Sequence, residues 1–409
     1  MEHRDNPYTP GAGTTPPALT GRAAELGRFE TLLERLERGR SEQSQIVTGL
    51  RGVGKTVLLN SFQRTAEDRR WATVEAEIDS RTALAPLMTR LGRQALYRID
   101  GPKRWGDRAR RAASVLRSFT LTVDPSGSVT IGANNEIEPA SGHADSGVLA
   151  DDLTELFLAL GEAAREREIG VIFLLDEVQF LSREDLEALI LAVHKCSQRA
   201  VPVTLVAAGL PQIPRLAGEA KSYAERLFNF PEIGRLREED AHAALSDPAD
   251  QLGVTWERDA LALAFEYTEG YPYFLQEVGS AAWETGVDNR ITPEDVRVAL
   301  QDVEAKLDQS FFRVRVERCT ELELAYMRAM AELGPEPKRS GDVAVTLGYE
   351  RSEQLGPTRA GLINKGLLYT PGHGLAAFTV PQFDKFMRRY MPLERRTPTK
   401  RGNRKEPRG

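Results

Sequence analysis

The sequence predicts an α/β protein in which a three-layer core with a parallel sheet precedes an all-α region and a winged helix-turn-helix domain. Apolar strand segments alternate with helical segments up to about residue 235, which is typical of a parallel sheet covered on both faces. From residue 237 to about residue 309 only helical patterns follow. Residues 320–393 then combine three helical segments with a hairpin, the pattern of a winged helix.

The composition is that of an ordinary globular protein. The chain has 409 residues, of which 41% are hydrophobic and 28% charged, and its formal net charge is −6. This negative charge excludes a chain that is basic all over, so any nucleic-acid contact must come from a local patch. No apolar run approaches the roughly 18 residues of a membrane span, and the N-terminus lacks a signal-peptide core. We therefore expect a cytoplasmic protein without membrane contact, in which Cys196 and Cys319 are reduced thiols.

The chain divides by composition and pattern into five segments. The first is rich in Pro, Gly and Thr and predicts an extended arm, whereas the last is basic, has no apolar side chains to bury and should be disordered. The segments are the N-terminal arm (1–19), the α/β core (20–236), a helical lid (237–310), the winged helix (320–393) and the basic tail (394–409).

The elements of the core follow from hydrophobic periodicity. Helices are predicted at 22–40, 84–97, 151–167 and 186–196, and strands at 45–48, 72–78, 171–175 and 201–208. Residues 119–147 interrupt this alternation, because two alternating runs, 119–123 and 128–131, flank a turn sequence. We interpret this stretch as a β-hairpin within a surface insertion.

The two later domains are also predicted from periodicity. In the lid, helices are expected at 238–252, 257–269, 273–285 and 293–308, the last with Thr292 as its N-cap. In the winged helix, helices are expected at 321–333, 340–347 and 352–365, followed by a hairpin of 367–369 and 376–380.

The loop after the first strand carries the phosphate-binding pattern G-x-x-x-x-G-K-[ST]. Its glycines let successive backbone N–H groups point at phosphate oxygens, and the following helix N-terminus adds a favourable dipole. We expect Lys55 to reach the β- and γ-phosphates of a nucleotide and the Thr56 hydroxyl to bind Mg²⁺. The predicted nucleotide contacts are Gly49, Arg51, Gly52, Val53, Gly54, Lys55, Thr56 and Val57.

A pair of carboxylates follows the apolar strand 171–175. Open α/β sheets bind ligands at the carboxyl ends of their strands, where Asp176 and Glu177 lie. We expect Asp176 to hold Mg²⁺ through water and Glu177 to polarise the water that attacks the γ-phosphate. Gln179 either orients that water or makes a contact at a helix N-terminus.

With these motifs, the chain resembles the AAA+ ATPases of the origin-initiator type and the related STAND signal-transduction ATPases, over roughly residues 16–393. The resemblance implies that ATP is bound with Mg²⁺ and hydrolysed to ADP and phosphate. Residues 19–26 resemble the family's Gly-Arg-x-x-Glu-Leu motif, which implies that Gly21 and Arg22 lie near the adenine. Residues 270–272 resemble the G-x-P of STAND lids, which implies that Pro272 packs on the base. The alternative for Pro272 is a helix-start proline.

The catalytic residues implied by the resemblance are Lys55, Glu177 and Arg226. Arg226 lies where such proteins carry an arginine finger that acts on a neighbouring copy, and its alternative is a solvated surface arginine. The sequence departs from the family at the strand before Gly209, where Ala207 or Ala208 replaces a polar residue that senses the γ-phosphate. No second-sensor arginine is evident near Gly270. We therefore expect ATP binding with slow hydrolysis.

Two functions are compatible with this pattern. The first is a nucleotide-controlled switch that associates with duplex DNA through its winged helix and basic tail. The second is a STAND-type scaffold that self-associates or binds a protein partner, with slow or no hydrolysis. The cations that could contact DNA phosphates are Lys338, Arg339, Arg359, Lys365, Arg388 and Arg389.

Overall fold

The computed structural model describes residues 1–11, 13–14, 16, 19–101, 105–124 and 137–391. They belong to two compact units, residues 1–300 and residues 301–409. The tail 394–409 lies outside the described residues, and the predicted domain boundaries stay predictions. None of the described helices is long and apolar enough to cross a membrane.

The first unit is built on a five-stranded parallel sheet. Its strand order is β2-β3-β4-β1-β5, so β4 lies between the strand that precedes the phosphate loop and the strand that ends in Asp176. The strands are β1 (Ser44–Thr48), β2 (Ala72–Glu77), β3 (Val171–Asp176), β4 (Val203–Gly209) and β5 (Phe228–Asn229). The predicted α/β class and parallel sheet are confirmed.

Helices cover both faces of this sheet. They are α1 (Ala23–Glu37), α2 (Lys55–Asp68), α3 (Leu84–Ile99), α4 (Asp107–Val123), α5 (Leu149–Glu166), α6 (Arg183–Gln198), α7 (Ile213–Ala220) and α8 (Ala224–Leu227). Because successive strand residues point to opposite faces, Phe173 packs in one core against α5 while its neighbours on β3, Ile172 and Leu174, pack in the other core with α1 and α2. Stacked rings mark each core, Phe157 on Phe173 and Phe29 on Phe62.

The predicted hairpin at 119–147 is wrong in its first strand, because residues 119–123 form the last turns of α4. The alternating Phe-Thr-Leu-Thr-Val sequence suggested a strand, but Leu116 and Phe119 continue a buried helical face. The hydroxyl groups of Thr120 and Thr122 donate to carbonyl oxygens one turn earlier, which makes threonine acceptable inside this helix. The second strand and the turn lie outside the described residues.

The all-α region contains α9 (Glu238–Asp250), α10 (Arg258–Thr268), α11 (Pro272–Thr285) and α12 (Pro293–Lys306). Thr292 caps α12 as predicted, since its hydroxyl accepts from the Asp295 N–H at 3.3 Å while Asp295 accepts from the Thr292 N–H. The region also holds a two-stranded parallel sheet of β6 (Thr255–Trp256) and β7 (Arg290–Ile291). Strands of two residues are too short to show a periodicity, so the sequence does not predict them.

The second unit contains the predicted winged helix. A π-helical turn (Leu307–Phe312) and α13 (Arg313–Val316) precede three helices: α14 (Glu321–Glu332), α15 (Ser340–Thr346) and α16 (Gly356–Asn364). The antiparallel sheet has the order β8-β10-β9, with β8 (Lys338–Arg339), β9 (Leu368–Tyr369) and β10 (Leu375–Phe378). The last helix is α17 (Phe383–Tyr390), whose Phe386 stacks on Phe312 in the core of this unit.

Candidate nucleotide-binding site

The loop between β1 and α2 has the backbone that its glycines predict. Gly52 and Gly54 adopt φ values of 80° and 91°, a left-handed region that other residues seldom occupy. Gly49 is required for another reason, because a Cβ atom there would lie 2.3 Å from the carbonyl oxygen of Ile233. The loop therefore needs glycine both for its turns and for its close approach to the segment after β5.

Lys55 begins α2 and is buried inside this loop, with 6% of its surface exposed. Its ammonium group donates to the carbonyl oxygens of Gly49 (3.0 Å) and Leu50 (2.9 Å). Burial lowers the pKa of Lys55, an effect that the nearby charges of Asp176 and Glu177 oppose. A buried cation held only by carbonyl groups is well placed to bind an anion that enters the loop.

The hydroxyl of Thr56 donates to the Asp176 carboxylate at 2.5 Å. Asp176 ends β3 and is 9% exposed. Burial raises its pKa, as does the neighbouring charge of Glu177, whereas the hydrogen bonds from Thr56 and from the Glu177 N–H lower it. One hydroxyl and one carboxylate oxygen thus lie side by side, and hard oxygen donors of this kind fit Mg²⁺ together with substrate phosphates.

Glu177 has a left-handed backbone conformation, with φ of 56°. Its carboxylate is 3.5 Å from the guanidinium group of Arg51, so the phosphate loop and the strand end are joined by an ion pair. The same carboxylate oxygen accepts a hydrogen bond from the side-chain amide of Gln179. The structure thus brings Arg51 and Glu177 together, a pairing that motif spacing does not reveal.

Arg22 is buried, with 8% of its surface exposed, and burial lowers its pKa. Its guanidinium group donates to the carbonyl oxygens of Val53 (3.2 Å) and Gly234 (2.7 Å). Gly21, with φ of 67°, lies against Leu236 and Asp240. Arg22 therefore joins the phosphate loop to the chain that leads into the lid, and Gly21 lies against that chain. The predicted contact of both residues with adenine stays a prediction.

Pro272 is the first residue of α11, and the next residue contacts the phosphate loop directly. The N–H of Tyr273 donates to the carbonyl oxygen of Gly52 at 3.2 Å. Gly270, which precedes the helix, has φ of 74°, and a Cβ atom there would lie 2.4 Å from the carbonyl oxygen of Leu236. The G-x-P segment thus places the N-terminus of a lid helix on the loop, and the predicted contact of Pro272 with a base stays a prediction.

The N-terminal arm also reaches the site, which the sequence analysis did not foresee. The carbonyl oxygen of Gly13 accepts from the Asn60 side chain at 3.2 Å, and a Cβ atom at Gly13 would be 3.4 Å from the Thr56 methyl group. Earlier in the arm, Tyr8 is buried and accepts a hydrogen bond from the Trp256 indole. No local pattern signals such contacts, because each joins residues far apart in the chain.

Arg226 is not brought to this site within one chain. It is exposed on α8, just before β5. Phe228 of β5 pairs with Ser44 at the start of β1, whereas the phosphate loop follows the other end of β1. A finger role for Arg226 therefore requires a second copy of the chain and stays a prediction.

Four of the six cations proposed for DNA contact make hydrogen bonds or ion pairs within the second unit. Arg359 donates to the carbonyl oxygen of Leu375 (2.6 Å) and to the hydroxyl of Thr370 (3.0 Å). Lys365 forms an ion pair with Glu323 at 2.6 Å. These cations hold the third helix against the wing and against α14, so they have less capacity for an external anion.

Of the other four cations, two have carboxylate partners and two form no ion pair with the described residues. Arg388 pairs with Asp384 (2.8 Å), and Arg389 pairs with Asp308 (2.7 Å). Lys338 and Arg339 form the short edge strand β8, and across the described part of the chain no ion pair involves either of them. Of the six cations proposed for DNA contact, Lys338 and Arg339 are therefore the two with most capacity for an external anion, within what the structure describes.

Comparison with family models assigns the region that holds this site. Residues 18–206 match the model of the AAA ATPase domain. This part of the chain is an AAA ATPase domain. The match includes the phosphate loop, Asp176 and Glu177, and it ends within β4. Residues 309–387 match a domain of unknown function, DUF8462, which corresponds to the winged helix. No curated protein matches the sequence.

Solved structures resemble this chain over most of its length, and the first of those described next shares its fold. The Walker-type ATPase PABY2304 of Pyrococcus abyssi superposes with a TM-score of 0.53 at 15% identity, over 90% of this chain and 96% of that one. The Aeropyrum pernix Orc1 protein in complex with DNA matches at 16% identity, over 91% and 94% of the two chains, with a TM-score of 0.41. Cdc6p from Pyrobaculum aerophilum matches at 16% identity, over 95% and 99%, with a TM-score of 0.44. At these identities the likeness concerns the fold alone.

Proposed function

We propose that this protein binds ATP with Mg²⁺ in its AAA ATPase domain, hydrolyses it slowly to ADP and phosphate, and acts as a nucleotide-controlled switch in the cytoplasm. The observation that carries the proposal is the convergence of Lys55, Thr56 and Asp176 where the phosphate loop meets the end of β3. An ammonium group, a hydroxyl and a carboxylate in this order suit a nucleotide phosphate and its cation.

In this proposal the residues of the loop bind the nucleotide, and Glu177 at the end of β3 activates water. Backbone N–H groups of the loop and Lys55 bind the phosphates, while Thr56 and Asp176 hold Mg²⁺, which neutralises phosphate charge when bound. Glu177 takes a proton from water as the water oxygen bonds to the γ-phosphorus and the bond to the β-phosphate oxygen breaks. Arg226 of a neighbouring copy adds positive charge at the γ-phosphate, and Gly21, Arg22 and Pro272 border the base.

The switch part of the proposal is supported by the contact between lid and loop. The Tyr273 N–H donates to the Gly52 carbonyl, so a movement of the phosphate loop would alter this hydrogen bond at the N-terminus of α11. Ala207 and Ala208 leave the end of β4 without a polar side chain, which favours slow turnover and a long-lived ATP state. ATP would thereby shift an existing equilibrium between lid positions.

The test is Glu177→Gln, which keeps the shape of the side chain but removes the proton acceptor. We expect ATP affinity in calorimetry to stay within about two-fold while phosphate release falls by roughly 10²-fold or more. Glu184→Gln, an exposed change on α6, is the control and should behave as wild type. Equal phosphate release by wild type and Glu177→Gln would contradict the role of Glu177, and a wild type that binds ATP without releasing phosphate would favour the STAND-type scaffold.

A second candidate function is weak association with duplex DNA. It is favoured by the winged-helix topology and by the two cations of β8, Lys338 and Arg339, which take part in no ion pair within the described residues. Few phosphate contacts are available, so we propose an affinity in the micromolar range or weaker. The basic tail 394–409 would add sequence-independent attraction, and ATP-driven self-association would raise avidity by presenting several copies.

Fluorescence anisotropy of a labelled duplex with the full chain tests this second candidate. Replacing Lys338 and Arg339 together by alanine should weaken binding and make it less sensitive to salt. For each phosphate that is no longer neutralised, the slope of log affinity against log salt should become shallower by roughly 0.9. Lys195→Ala, an exposed change on α6, is the matched control. If wild type shows no binding at low salt but co-purifies with a protein, the winged helix serves protein contacts instead.

A further inference from the structure

The end of β4 lacks the polar side chain that a nucleotide-sensing strand would be expected to carry. β4 lies between β3 and β1, so its carboxyl end faces the space between Asp176 and the phosphate loop. Ala207 and Ala208 are buried methyl side chains there, and Gly209 follows. Ala207, Ala208 and Gly209 thus offer no polar side chain that could fix Glu177 or a water molecule beside it.

Gln179 supplies a polar group at this position from the neighbouring strand end. It lies in the 3-10 turn Val178–Phe180, directly after β3. Its side-chain oxygen accepts the main-chain N–H of Leu210 at 3.1 Å, the first residue after β4. Its side-chain nitrogen donates to the carboxylate of Glu177. One amide thus joins the end of β4 to the proposed proton acceptor.

The glycine at the end of β4 makes room for this amide. A Cβ atom at Gly209 would lie 2.9 Å from the side-chain oxygen of Gln179. A Cβ atom there would also lie 2.8 Å from the Ile213 side chain, so Gln179 and Ile213 together occupy the space beside Gly209.

We propose that Gln179 is a positioning residue for ATP hydrolysis, which replaces the missing polar side chain of β4 by holding Glu177 against the main chain of Leu210. This inference rests on the proposed hydrolysis. Glu177 has an uncommon backbone conformation and its carboxylate also contacts Arg51, so a fixed amide on the same oxygen restricts how the carboxylate can turn. The proton of the attacking water then meets an acceptor in a defined orientation.

Two substitutions separate this role from a purely structural one. Gln179→Glu keeps the oxygen that accepts the Leu210 N–H, but it removes the donor to Glu177 and adds a like charge beside it. A residue that only supports Leu210 would tolerate this change. Gln179→Ala removes both contacts. Gln198→Ala, an exposed glutamine on α6, is the matched control.

The experiment measures kcat and KM for ATP, ATP affinity by calorimetry and the melting temperature of each variant of the full chain. We expect kcat to fall about 10-fold or more in both Gln179 variants, with ATP affinity within about two-fold and melting temperatures close to wild type. Gln198→Ala should match wild type in every quantity.

The outcomes distinguish this inference from the proposed function. If wild type hydrolyses ATP and Gln179→Glu hydrolyses it equally fast, the positioning role is overturned while the proposed function stands. A Gln179 variant with lower ATP affinity or a lower melting temperature but unchanged kcat also overturns the positioning role, because a purely structural residue would have that effect. If wild type releases no phosphate at all, both are overturned.

Discussion

Lys55 in the phosphate loop and Lys365 in the winged helix each donate to main-chain carbonyl groups, but only Lys365 also has a carboxylate partner. Lys365 lies 2.9 Å from the carbonyl oxygen of Arg318 and 2.6 Å from Glu323. Lys55 has two carbonyl contacts, and among the residues that the structure describes no ion pair holds it. This difference supports the proposed phosphate contact of Lys55, whereas Lys365 joins its helix to α14.

The carboxylates of the two regions show the same contrast. In the AAA domain, burial raises the pKa of Asp176 and lowers the pKa of Lys55, so the fold disfavours the charged forms of both groups. In the winged helix, Glu323 accepts the Thr320 N–H in a capping box as well as the ammonium of Lys365. Buried groups whose charged forms the fold disfavours are typical of functional sites, which supports the proposed nucleotide contacts, whereas the ion pair of Glu323 and Lys365 contributes to stability.

The largest expected effect concerns Lys55. Lys55→Ala removes a charge-assisted phosphate contact, which should cost about 1.5–3 kcal/mol of ATP binding free energy. Calorimetry with ATP and Mg²⁺ measures this loss, and Lys195→Ala on the exposed face of α6 is the control. An unchanged ATP affinity in the Lys55 variant would show that this cation does not bind the nucleotide.

Arg359 should show the opposite behaviour. Arg359→Ala removes hydrogen bonds to Leu375 and Thr370, so we expect the free energy of unfolding of the second unit to fall by about 1–2 kcal/mol with ATP affinity unchanged. Urea denaturation measures the loss, and Arg339→Ala on the exposed edge strand should leave stability near wild type. If Arg359→Ala keeps the stability of wild type but loses DNA binding, Arg359 contacts DNA and does not stabilise the fold.

The smallest effect is expected for Tyr8 in the N-terminal arm. Its substitution tests whether the arm stabilises the first unit without affecting the phosphate site. The Tyr8 hydroxyl donates to the Leu245 carbonyl and accepts from Trp256, and burial raises the pKa of Tyr8. Tyr8→Phe should lower the free energy of unfolding by about 1 kcal/mol at neutral pH, without changing ATP affinity.

The pH dependence of that difference follows from the direction of the pKa shift. Because the pKa of Tyr8 is higher in the folded than in the unfolded chain, its contribution is complete below about pH 10 and is lost as pH rises through the folded value. The difference between wild type and Tyr8→Phe in urea denaturation should therefore shrink above about pH 10. Tyr97→Phe is the control, and a difference that stays constant with pH would show that Tyr8 is not protected from ionisation.

The features of this protein that depend on local spacing could be predicted from its amino-acid sequence. The phosphate loop, the strand ending in Asp176 and Glu177, the cap at Thr292 and the winged helix were predicted because a motif, a period or a capping pattern lies within a few neighbouring residues.

Contacts between residues that are far apart in the chain follow instead from how the elements pack. Residues 119–123 carry an alternation that suits a strand, and packing of α4 against its neighbours made them helical. Gln179 meets Glu177 and Leu210 because β3 and β4 are adjacent in the sheet, and Arg359 turns to the wing because β10 lies beside it. The partner of a side chain depends on which elements the fold places next to it. That placement is determined by the whole chain, and the residues adjacent in sequence do not reveal it.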